Sequence, residues 1–155
     1  MRSKITHNRI LWNFSSNYSL IRVIVIDDES DVSEVLCEFL KIKGIQVVGR
    51  GNNGKDAFEL FKKYQPDIVM MDLVMPNYDG FYGVEKIREF DPKSKIMIIS
   101  ASLTPSYVQR LLKLNVDCIS LKPYDLSSLI ETIEKINIDL EVQKVPNIFQ
   151  RQLNQ

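Results

Sequence analysis

Val23-Ile24-Val25-Ile26-Asp27-Asp28-Glu29-Ser30 runs four β-branched apolar residues straight into three acids. An apolar run with no polar alternation reads as a strand covered on both faces, the pattern of a parallel sheet. Adjacent carboxylates have no place in that interior unless they emerge at its rim. The stretch therefore predicts a buried strand that delivers acids to one end of a sheet.

Working outward, five short apolar runs mark strands: Val23–Ile26, Gln46–Val48, Asp67–Met71, Ile96–Ile99 and Cys118–Leu121. Amphipathic helical patterns lie between them. Val32, Val35, Leu36, Phe39 and Leu40 give the first an inward stripe, with Asp31 as its cap, Glu34 completing a capping box, and Gly44 at its end. Ala57, Phe58, Phe61 and Tyr64 mark the second, closed off by Pro66. Phe81, Val84 and Ile87 mark the third. Thr104-Pro105 is a cap and first-turn pair for the fourth, with Val108, Leu111 and Leu112 inward. Asp125 caps the fifth, whose stripe is Leu126, Leu129, Ile130, Ile133 and Ile136. Strands alternating with helices imply an α/β fold, a parallel sheet with helices on both faces.

The bulk properties narrow the class. The 155 residues fit one domain and suffice for a core without metal or disulfide staples. Twenty basic residues balance 20 acidic ones, so nothing in the net charge points to bulk electrostatic attraction to nucleic acid. Cys37 and Cys118 match no metal spacing and read as reduced packing residues of a cytoplasmic protein. No apolar stretch approaches the ~20 residues of a membrane helix, so no membrane insertion is expected. Residues 1–20 carry Arg2, Lys4 and Arg9 without an acid; Ile10-Leu11-Trp12 and Phe14 are too few for the roughly 7–15 residue core of a secretory signal. They read as a weakly ordered tail. His7 lies within it, without the helical context of a phosphorelay histidine. Residues 138–155 turn polar and form a short C-terminal extension, and Pro146 should stop any prolongation of the last helix.

In an open α/β sheet, ligands bind beyond the carboxyl ends of the strands. The first strand ends there in Asp27-Asp28, the third in Asp72, the fourth in Ser100-Ala101, the fifth in Leu121-Lys122-Pro123. One aspartate after a strand is ordinarily a turn or cap residue, and one lysine a solvated charge. Four strand ends supplying complementary groups are another matter. Clustered carboxylates repel and raise one another's pKa values unless a cation neutralises them. Such hard oxygen ligands suit magnesium, which binds through carboxylates, water and phosphate oxygens. A lysine and a hydroxyl beside it can receive a phosphoryl group's remaining oxygens.

These residues carry a family resemblance. The acidic pair Asp27-Asp28, the Asn53-Gly54 turn, the stretch Asp72-Leu73-Val74-Met75-Pro76-Asn77-Tyr78-Asp79-Gly80, Ser100-Ala101 and Lys122-Pro123 follow one another as in the receiver domain of two-component response regulators. The chain closely resembles that family from about Ile21 to about Asn137. The resemblance implies a doubly wound, five-stranded flavodoxin-like sheet of order 2-1-3-4-5, with residues 21–137 as receiver domain. It implies Asp72 as phosphoacceptor and Asp27, Asp28, Asp72 and the Val74 backbone carbonyl around Mg2+. Lys122 would pair with phosphoryl oxygens, Ser100 would act as switch, and a cis peptide would precede Pro123. The implied partners are a sensor histidine kinase or phosphotransfer protein and a downstream protein target, read through a two-state surface at the fourth helix, fifth strand and fifth helix. The chain would be a phosphoacceptor with only self-catalysed phosphotransfer, not an enzyme. One position departs from the family: Ile119 stands where an aromatic partner of the switch is common, and isoleucine cannot swing a ring inward.

Other readings fit less well. Gly49-Arg50-Gly51-Asn52-Asn53-Gly54-Lys55-Asp56 nearly spells a phosphate-binding P-loop, but Asp56 replaces the magnesium-binding Ser/Thr and would repel a triphosphate. A magnesium-dependent phosphohydrolase with an aspartyl nucleophile wants Asp-x-Asp after its first strand, whereas Glu29 follows Asp27 by two. A non-phosphorylated interaction module would be expected to lack one of the acids or the lysine. No DNA-binding or enzymatic pattern follows residue 137, so no direct nucleic-acid contact is expected.

Overall fold

The computed structural model describes residues 20–154. The expectations for the N-terminal tail and His7 lie outside the described residues. In chain order the elements are β1 (Arg22–Ile26), α1 (Ser30–Ile42), β2 (Gln46–Gly51), α2 (Gly54–Tyr64), β3 (Ile68–Met71), α3 (Gly80–Phe90), β4 (Ile96–Ser100), α4 (Pro105–Lys113), β5 (Cys118–Leu121), α5 (Leu126–Asn137) and α6 (Asn147–Leu153). The five strands form one parallel sheet in the order β2-β1-β3-β4-β5.

Successive strand residues point to opposite faces, and the core divides accordingly. Ile24, Ile26, Val69, Met71, Ile96, Ile98 and Ile119 pack beneath α2, α3 and α4. Val23, Val25, Ile68, Met70, Met97, Ile99 and Cys118 pack beneath α1 and α5. This two-sided cover is why β1, β3 and β4 carry apolar residues without alternation.

Two caps form as the sequence predicts, at Thr104 and Asp125, and a third forms at Asn53 in the Asn53-Gly54 turn; each side chain accepts a backbone N–H of the first helical turn. Helix α1 differs. It starts at Ser30, Glu29 is its N-cap position without a side-chain bond, and Asp31 lies exposed in the first turn. The inward set is Ser33, Leu36, Cys37 and Leu40, so the helix is rotated by about one residue from the predicted stripe. Val32 and Val35 consequently face out, 40% and 68% exposed. The small Ser33 donates to Ser30 O and accepts from Arg50 Nη2 of β2 at 2.7 Å, a polar tie that hydrophobic periodicity does not reveal.

Strand β2 also runs three residues past its predicted end. A Cβ on Gly51 would lie 2.7 Å from Asp56 Cβ and 3.0 Å from Ile26 Cδ1, so glycine lets α2 settle close over the strand. Asp56 meanwhile accepts from Asn52 N–H at 2.9 Å. The P-loop-like stretch is thus half strand and half helix cap.

Candidate functional site

Each site residue sits where a strand ends. Asp27 N–H donates to Gly51 O, and Asp72 N–H donates to Ile26 O at 2.8 Å. These ladder bonds fix the ends of β1 and β3 side by side. Carboxylate oxygens of Asp27, Asp28 and Asp72 lie within 4.8 Å of one another. Asp27 and Asp72 are buried and Asp28 is exposed, so the cluster opens to solvent on the Asp28 side.

Lys122 closes the opposite side. Its Nζ is 2.6 Å from Asp27 Oδ2 and 3.4 Å from Asp72 Oδ2. Lys122 N–H in turn donates to Ser100 O at 3.0 Å, which ties the end of β5 to the end of β4. The peptide bond from Lys122 to Pro123 is cis.

Backbone amides set the two buried carboxylates. Asp27 Oδ1 accepts from Glu29 N–H at 2.9 Å, and Asp72 Oδ1 accepts from Leu73 N–H at 2.7 Å. Burial pushes the Asp72 carboxyl above the usual carboxylate range; Asp27 adds to the rise, while Lys122 and the Leu73 amide oppose it. Burial alone would lower Lys122. Its bond to Asp27 and the charges of both aspartates outweigh that, so its ammonium is held charged more firmly than usual. The result is a desolvated, basic carboxylate facing a fixed cation.

Ser100 is fully buried at the end of β4, and its Oγ accepts from Ser102 N–H at 3.2 Å. Val74 lies two residues beyond Asp72, half exposed. Ile119 is not part of the acid cluster; it packs in the core beneath α4.

One positioning residue was not singled out by sequence reasoning. Gly80 N–H donates to Leu73 O at 2.8 Å, and a Cβ on Gly80 would sit 2.8 Å from Leu73 Cα and closer still to Asp72 O. Asp79 caps α3 at the same point, accepting from Tyr82 N–H at 2.9 Å. The N-terminus of α3 is therefore pressed against the backbone that carries Asp72. The signal was the Asp-Gly pair shortly after Asp72, which marks a cap followed by a close approach.

Known proteins share this plan. A family model described as the response regulator receiver domain matches residues 23–134. The chain is 31% identical to the chemotaxis protein CheY of Thermotoga maritima over 116 residues, covering 75% of this chain and 97% of that protein. It is 36% identical to the CheY of Treponema pallidum over 117 residues, covering 74% and 81%. Among solved structures, a LuxR-family DNA-binding response regulator from Staphylococcus aureus superposes with a TM-score of 0.72 at 28% identity, covering 76% of this chain and 99% of that one. The CheY of Borrelia burgdorferi, solved with CheX, BeF3 and Mg, shares the fold at a TM-score of 0.71 and 24% identity, covering 75% and 88%. A family match across the whole sheet, from β1 into α5, agrees with the strand order and with the acids at the strand ends, and the chain belongs to the response regulator receiver domains of two-component systems.

Proposed function

We propose that this domain accepts a phosphoryl group on Asp72 from a phosphohistidine of a sensor kinase or phosphotransfer protein. The observation that carries the reading is the buried Asp72 carboxylate, clustered with Asp27 and Asp28 and faced by Lys122. The carboxylate oxygen attacks phosphorus, the phosphorus–nitrogen bond breaks, and its electron pair returns to the imidazole nitrogen, which takes up a proton. The product is an acyl phosphate. Desolvation keeps the Asp72 oxygen basic, and the Leu73 amide fixes its orientation. Lys122 turns its ammonium from the aspartates to a phosphoryl oxygen, so the work is mostly positioning and charge stabilisation.

Three clustered carboxylates are the hard oxygen donors that magnesium takes, and they fit it. Asp27, Asp28, Asp72 and the Val74 carbonyl would hold the ion, which when bound supplies positive charge against the phosphoryl oxygens. Ser100 gives up its bond to Ser102 for the new phosphoryl group and so reports its arrival to the loop before α4. The readout is a protein contact in the cytoplasm, with residues 21–137 as the signalling unit. The domain turns over no substrate of its own beyond slow loss of its phosphate.

Intact mass after exposure to a small acyl phosphate with magnesium tests this. The unaltered chain is expected to gain a single phosphate and Asp72→Asn none. A phosphate retained by Asp72→Asn overturns the reading; sustained turnover of phosphate esters without a lasting phospho-form marks a phosphohydrolase instead.

A further inference from the structure

The residues after α5 fold back over the domain. Asp139 takes a left-handed φ of 57°, and Leu140 N–H donates to Lys135 O at 2.9 Å. The returning chain reaches β5, the edge of the sheet, where Ile119 N–H donates to Lys144 O at 2.8 Å. Cys118 Sγ lies 3.7 Å from Gln143 O beside it. Gln143 Nε2 donates to Val145 O and Asn147 Oδ1, closing the turn into α6.

This segment is seated. Val145 and Phe149 are 7% and 8% exposed and join the cluster that contains Val108 and Leu111 of α4, Val116, and Ile119 of β5. Leu153 packs at its margin. Phe149 and Leu153, four residues apart, share one face of α6, with Val145 just before the helix in the same cluster, while Ile148 on the other face is 68% exposed. The α4–β5 surface is therefore an interaction surface whose resident occupant is the chain's own C-terminal segment.

The walls of that surface lead to the site. β5 ends at Leu121, directly before Lys122, and β4 ends at Ser100, from which a short loop enters α4. The Lys122 N–H bond to Ser100 O joins them. We propose that Leu140–Leu153 is a releasable strap on the α4–β5 face, and that strap closure and phosphorylation of Asp72 oppose each other. The inference rests on the reading of Asp72 as phosphoacceptor.

The sign follows from the present bonds. Lys122 is engaged by Asp27, and the Ser100 hydroxyl by Ser102. A phosphoryl group draws both toward itself, which shifts the end of β5 and the loop that leads into α4. The strap fits the walls as they stand, so shifted walls hold it less well. Coupling is reciprocal, and an open strap favours phosphorylation by the same factor. A helix as short as α6 has little stability of its own, so undocking also melts it and makes release all-or-none.

The Ile119 amide is a built-in probe, because its N–H is given to the strap and not to β4. Residue-resolved hydrogen exchange on the full chain, with and without a small acyl phosphate and magnesium, reads it while intact mass follows phosphorylation. Phosphorylation is expected to speed Ile119 exchange by roughly five-fold or more, with Met70 in the central sheet unchanged. Phe149→Ala should speed Ile119 exchange without phosphorylation and raise the phosphorylation rate at limiting donor by roughly the same factor. Ile148→Ala should do neither; Phe149→Leu, a milder change, should act in the same direction if the alanine variant unfolds. A chain that gains the phosphate yet keeps Ile119 equally protected overturns the coupling alone. A chain that gains no phosphate overturns the phosphoacceptor reading and the coupling with it, and its Ile119 exchange in Phe149→Ala still shows whether the strap is seated.

Discussion

The sheet runs out in two places that the chain finishes differently. Where β1 and β3 end, three carboxylates crowd within 4.8 Å, and one lysine answers two of them. Along β5, the open edge is answered by a returning segment that takes the Ile119 N–H and buries Val145 and Phe149. The first margin keeps a surplus of negative charge, which a cation or a phosphoryl transfer can use. The second pairs its Ile119 amide and hides its apolar surface, as an edge strand ordinarily must. The proposed chemistry sits at the unsatisfied margin and the proposed control at the satisfied one.

That contrast can be broken or sharpened by substitution. Gly80→Ala carries the largest expected effect, because its Cβ meets the backbone of Asp72 and Leu73, which cannot step aside. A loss of about 3 kcal/mol is expected in urea unfolding, along with slower phosphorylation. A neutral outcome would mean that the acid corner is not held by α3. Phe149→Ala should cost about 2 kcal/mol, less than a central phenylalanine, because the strap can lift without the sheet opening. No loss at all would reduce the C-terminal segment to a loose tail and dissolve the comparison. Thr104→Ala removes the cap of α4, one wall of the strap's seat, and should cost about 1 kcal/mol. Amide exchange in α4 and at Ile119 should rise together; a rise in α4 alone would separate the strap from that wall.

A subtler effect concerns pH. Asp72 has a carboxyl raised in the folded chain, so between its unfolded and folded pKa values the folded state binds the extra proton. Stability then falls as pH rises through that window and stays lower above it. Asp72→Asn removes the charged, desolvated carboxylate while keeping an oxygen for the Leu73 amide. Its denaturation midpoint should exceed that of the unaltered chain at neutral pH. The gain should vanish as pH drops below the ordinary aspartate value of 3.8. A midpoint that stays level at neutral pH would show that Lys122 fully compensates the burial.

Much of the acid corner was legible from the residues. Near-continuous apolar runs marked the central strands because both sheet faces are covered, and strand ends in a parallel sheet gather at one rim by construction. The rotation of α1 was not legible. Val32 and Val35 offered a plausible inward stripe, and the inward place of Ser33 depends on Arg50 reaching across from β2. The extension of β2 through Gly51 was hidden because glycine signals a turn, whereas here it admits α2. The seat of Val145 and Phe149 left only a faint trace, a few apolar residues in a largely polar stretch around a proline.

The sequence by itself determined the parallel sheet, two helix caps and which acids and lysine meet, because apolar periodicity and side-chain capping are local or nearly so. Tertiary structure decided the face that α1 buries, the press of Gly80 against Asp72 and the strap across β5. Those outcomes turn on distances between segments remote in the chain, where a single Cβ, a guanidinium reach or an open strand edge chooses among packings that the local pattern leaves equal.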